Sequence, residues 1–152
     1  MNVLFLILIC STALIFGNEF SIAVFIHPSL SRADHLKFLP AIQVFAKLFG
    51  KVMPFWMGGN ALAHLIVLWL TWRWPLAHSV WLLLASLLWI AVILFSVLGP
   101  VPINDRVKGW DLTKLPADWE DQRRRWDQLN AIRVVLIAIA FISLLLGYKS
   151  LG

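Results

Sequence analysis

Residues 3–26, VLFLILICSTALIFGNEFSIAVFI, are apolar throughout except around Asn18 and Glu19. At about 1.5 Å per residue the run is long enough to cross a hydrocarbon core of roughly 30 Å, which predicts a membrane-spanning helix. Met1 and Asn2 place no Lys or Arg ahead of it, and it exceeds the roughly 7–15 apolar residues of a signal-peptide core, so it reads as a retained span. Its expected end is His27-Pro28, because proline disfavours helical geometry in the residue before it. Glu19 then lies inside the bilayer. An ionised carboxylate alone in hydrocarbon is strongly disfavoured, so Glu19 needs a cation or hydrogen-bond donors from other helices, and it is a candidate functional residue on that ground.

The composition agrees with a membrane protein. Of 152 residues, 61% are hydrophobic and 14% charged, whereas charged residues make up about a quarter of an ordinary soluble domain. The formal charge of +5 does not point to nucleic acid, because the basic residues border apolar segments, where they set topology. The single cysteine, Cys10, excludes an intrachain disulfide and a CxxC metal site.

Within the connection 28–52, Ala41, Ile42, Phe45, Leu48, Phe49 and Val52 fall at helical spacing. This predicts a short helix on the membrane surface leading into a second span, 53–72, with Pro54 in its first turn. Arg73, Trp74 and Pro75 form an interfacial turn, flanked by Trp69, Trp72 and Trp81 as an aromatic belt. A third span, 79–98, is stopped by Gly99-Pro100-Val101-Pro102. Pro116 reads as a first-turn proline, with Asp118, Glu120 and Asp121 after it where a helix N-terminus favours negative charge. That helix is expected to start in water and continue into a fourth span, 131–147.

The expected fold is therefore all-α: an integral membrane four-helix bundle, one domain over residues 1–152, with spans at about 3–27, 53–72, 79–98 and 131–147. Of the 13 Lys and Arg, only Arg73 and Lys149 lie outside the side that carries the connections 28–52 and 99–130, a side that also holds Arg32. The positive-inside rule makes those connections cytoplasmic and both termini external.

Depth selects which polar residues can meet. Counted from the basic side at about 1.5 Å per residue, Glu19 lies about 12 Å deep, Asn60 about 10 Å and His64 about 16 Å. Those three can share a layer, and Asn60 and His64 occupy one face of their helix. On the last helix Trp126, Asn130 and Arg133 form a stripe from which Arg133 can reach inward toward Glu19. The expected result is a polar pocket in the cytoplasmic half of the bundle. Asn18 and Asn60 have an alternative use as interhelical hydrogen-bond partners, and Arg133 as a residue whose head reaches the interface. His27, next to Pro28, reads as a cap or surface residue.

The runs HPSL at 27–30, FGKVMPFW at 49–56, PVPIND at 100–105 and RRRWDQLNAIR at 123–133 resemble the small four-helix membrane proteins grouped with the fungal anthrone oxygenases. Asn130 departs from that pattern, since histidine is expected there, so a proton-transfer or metal role for that position does not carry over. The resemblance places Asn104, Trp126 and Arg133 near the pocket mouth and implies oxidation of a polycyclic phenol by dioxygen to a quinone. Such a carbon acid must lose a proton to give an electron-rich enolate. Either His64 or Glu19 is the candidate base, and Arg133, Asn60 or Asn104 can stabilise the oxyanion. The substrate-contacting candidates are Asn18, Asn60, Asn104, Trp126 and Asn130.

Two other readings stay open at this level. Glu19 and His64, with Asn60, can be ligands of a transition metal, or one histidine can hold haem. Alternatively the bundle is a non-enzymatic subunit for small-molecule binding, transport or assembly. The partners on every reading are the lipid bilayer, here of a bacterial inner membrane, and a lipophilic aromatic molecule, and a homo-oligomer is compatible with each.

Overall fold

Four helices among the described residues are long and apolar enough to cross a membrane, and the chain is an all-α integral membrane bundle. These features come from a computed structural model that describes residues 2–31, 35–71 and 76–150. The turn expected at Arg73, Trp74 and Pro75, with Trp72, lies outside the described residues, as does Arg32.

Helix α1, Asn2–Ser21, passes into a π-helical segment, Ile22–Ile26, and then into α2, His27–Ser31. The helix therefore does not end at His27-Pro28 but runs through the proline to Ser31. A proline ring crowds the carbonyl four residues back and supplies no N–H. Here the preceding turn is already widened: the His27 N–H bonds to the Ile22 carbonyl, five residues back. The N–H that proline lacks therefore falls where the regular hydrogen-bond ladder is already interrupted.

Helix α3, His35–Thr71, is continuous over 37 residues, with Pro40 and Pro54 inside it. Residues 35–52 are thus part of this helix and not a separate surface helix, and Pro54 is far from its first turn. Of the apolar stripe expected in this segment only Ile42 is buried, and Leu48 and Val52 are exposed; the packing face is instead Phe38, Leu39, Ile42 and Ala46, buried with Ile103, Val107 and Trp126. At about 1.5 Å per residue α3 is roughly 55 Å long, more than a tilt of up to about 40° fits into hydrocarbon, so its basic end projects beyond the bilayer.

Helix α4, Leu76–Leu98, stops at Gly99, and α5, Pro100–Lys108, starts at once with proline in its first turn. A loop then leads to α6, Trp119–Lys149, which runs unbroken with Glu120 and Asp121 in its first turn. Pro116 precedes this helix instead of opening it, and its carbonyl accepts from the Trp119 N–H at 3.1 Å. In the loop, the Thr113 hydroxyl and amide donate to the Asp111 carboxylate and hold it below its usual range. α6 packs closely on α4, where a Cβ at Gly147 would come within 2.8 Å of Leu82. Large apolar side chains such as Val3, Leu14, Phe55 and Leu94 cover the outer face, which suits contact with lipid.

Candidate functional site

Glu19 on α1 and Arg133 on α6 are both buried and form an ion pair through Glu19 Oε2 and Arg133 Nη2. The same Nη2 donates to Asn130 Oδ1 at 2.7 Å. A carboxylate and a guanidinium compensate each other where neither could remain alone, and the Asn130 amide adds a neutral acceptor. Arg133 Nε and Asn130 Nδ2 have no partner within the protein.

A second pair stands nearer the basic end. His27 Nδ1 lies 2.6 Å from Asp127 Oδ1, and the imidazole stacks on Trp126 with ring centroids 4.3 Å apart at 25°. The histidine is buried, so it is not the cap or surface residue that its proline neighbour suggests. The π segment accounts for its direction. Eight residues of α-helix would turn His27 about 80° away from Glu19, whereas the extra residue of one π turn makes them equivalent to positions seven apart, within about 20° of one face.

Glu19, Arg133 and His27 border one cavity of about 410 Å³, within the range of sites for small organic ligands. Glu19, Arg133, His27 and Trp126 line it, and Ser96, Asn104, Asp105, Lys108 and Arg123 add further polar groups. Its walls are otherwise apolar, including Ile22, Leu39, Phe49, Met53, Met57 and Ile93. Trp126 Nε1 is buried without a protein partner. Lys108 crosses close over Gly50, where a Cβ would meet its Nζ at 2.5 Å. Pro54 and Gly58 of α3 and Val97 of α4 line the cavity and are themselves exposed.

His64 and Asn60 are not part of this chamber. Asn60 Nδ2 donates to Thr12 Oγ1 at 3.1 Å, which sets residue 60 level with residue 12 instead of 19. His64 stacks on Trp89 with centroids 5.5 Å apart. The expected Glu19–His64 layer is thus corrected. The depth count started α3 at Met53, but that helix starts at His35, and its register brings Met53 and Met57 to the cavity instead. Asn18 is half-buried outside the lining, and its Nδ2 has no protein partner. Glu19 and His64 accordingly do not converge as a ligand pair, and among the described residues no three His, Cys, Asp or Glu side chains group as a metal site.

The sequence profile described as anthrone oxygenase matches residues 44–143. The chain belongs to the anthrone oxygenase family. No curated protein and no solved structure matches it. In this anthrone oxygenase family member the matched stretch carries Trp126, Asp127 and Arg133, and the first helix, outside that stretch, adds Glu19 and His27. The sequence alone makes His27 a cap or surface residue and gives Asp127 no role. The available signal was their place in the HPSL and Trp-Asp runs, which carry the resemblance.

Proposed function

We propose that this protein is a membrane oxygenase that uses dioxygen to convert the activated methylene of a lipophilic polycyclic phenol into a carbonyl, with water as the second product. The observation that carries this reading is the buried Glu19–Arg133 pair bordering a largely apolar cavity. Deprotonation of an anthrone-type methylene moves charge onto the carbonyl oxygen. Arg133, a cavity-lining guanidinium with one unpartnered N–H, is suited to stabilise that oxyanion, and Glu19 fixes its orientation. Of the two bases suggested by sequence, only Glu19 borders the cavity, and Arg133 engages it. The exposed lining residues Pro54, Gly58 and Val97 on two lipid-facing helices support entry of a substrate dissolved in the bilayer between α3 and α4. In the cell the reading places the basic ends on the cytoplasmic side of a bacterial inner membrane, with both termini outside.

The test is oxygen uptake by the purified protein in lipid nanodiscs given a hydroxylated anthrone, corrected for protein-free autoxidation. One dioxygen consumed per quinone formed is expected, and Arg133→Met lowers kcat about 10²–10³-fold. Binding without oxygen uptake would replace this reading with a lipophile-binding subunit.

A further inference from the structure

We infer that His27, held by Asp127 and stacked on Trp126, is the base that removes the methylene proton. The inference rests on the oxidation proposed above and assigns a residue that the sequence reading treated as a surface position. Four observations converge on it.

First, His27 borders the same cavity as Arg133. Second, the π segment Ile22–Ile26 brings His27 onto the face of Glu19, and such bulges recur at functional sites. Third, an Nδ1–H donated to Asp127 leaves the lone pair of a neutral imidazole on Nε2, and the carboxylate stabilises the imidazolium that forms on protonation. Fourth, the stack on Trp126 fixes the ring plane. Glu19 is the poorer base, because the Arg133 guanidinium already binds its carboxylate.

Placement fits the carbon acid as well. In an anthrone the methylene carbon and the carbonyl oxygen lie on opposite sides of the central ring. A base and an oxyanion partner must therefore stand apart, each with roughly 3 Å of reach. Glu19, which holds Arg133, and His27 are equivalent to positions seven apart and so are separated by roughly 10 Å along the helix.

The steps balance without a further redox partner. His27 takes one methylene proton, and the electron pair left on carbon delocalises onto the oxygen facing Arg133. The enolate reduces dioxygen as the carbon–oxygen bond forms, and the imidazolium returns its proton to the peroxide. Loss of the second C–H proton to His27 breaks the O–O bond, giving the carbonyl and hydroxide, which the imidazolium protonates to water.

The experiment compares His27→Gln, His27→Ala and Asp127→Asn with the unaltered protein in nanodiscs, using a hydroxylated anthrone and following folding by circular dichroism. His27→Gln is expected to lower kcat about 10²–10⁴-fold with KM within about threefold. Added imidazole is expected to restore part of the His27→Ala rate, which a purely structural role would not allow. A folded His27→Gln protein with undiminished kcat overturns the assignment. If the His27 variants do not fold, Asp127→Asn decides: lowered kcat at unchanged KM supports it, and unchanged kcat overturns it. No oxidation by the unaltered protein above autoxidation overturns the proposed function itself, whereas oxidation that survives His27→Gln removes only the base.

Discussion

Arg133 Nη2 pairs with Glu19 Oε2 across 114 residues of chain, joining the first and last helices inside the bundle. Removing one member strands the other charge in a low-dielectric interior. Arg133→Met is expected to destabilise the fold by about 3–5 kcal/mol, and the Glu19→Gln/Arg133→Met double variant by less than the sum of the two single changes. A double-mutant cycle on unfolding in detergent measures this. Strict additivity would mean that the pair contributes no coupling.

His64 lies against Trp89 and outside the cavity lining. His64→Phe keeps an aromatic ring in that stack and is expected to leave kcat/KM for anthrone oxidation within about threefold, under about 0.7 kcal/mol of transition-state stabilisation. Steady-state oxygen uptake reads this, and a loss as large as that of Arg133→Met would return His64 to the reaction.

Gln43 Nε2 donates to the carbonyls of Val107 at 3.0 Å and Trp110 at 2.9 Å, tying the end of α5 and the start of the following loop to α3. Gln43→Leu leaves those acceptors unsatisfied, at about 1–3 kcal/mol. Faster amide exchange across residues 107–118, with α4 unaffected, is the expected signature.

Gly58 lines the cavity from an exposed position on α3, the proposed entry side, and a side chain there would meet no atom within 4 Å at its Cβ. Gly58→Phe is therefore expected to fold normally while narrowing access from the bilayer, raising KM by about tenfold, or about 1.4 kcal/mol, with kcat unchanged. Kinetics in nanodiscs test this, and an unchanged KM would mean that substrate does not pass Gly58.

Much of the bundle was legible because lipid imposes simple rules. Apolar length marked four spans, and the spacing of Trp126, Asn130 and Arg133 marked an inward stripe, all three of which are buried. Arg133 was the residue expected to reach Glu19, and the two are in contact. The errors arose where proline was read as a boundary. Pro54 lies within a helix that starts at His35, so counting from Met53 misplaced Asn60 and His64 relative to α1. Pro28 follows a π turn, which a search for 3.6-residue periodicity does not detect, and this concealed the inward direction of His27. Asp127 escaped notice because only the fold brings it beside a histidine 100 residues away.

The most direct test of the cavity as a reaction chamber is a map of the protein with an anthraquinone product bound. The account predicts a planar ring system between Arg133 and His27, with one carbonyl oxygen within about 3 Å of the Arg133 guanidinium. A quinone lodged elsewhere, with no ring density between those two residues, would contradict it.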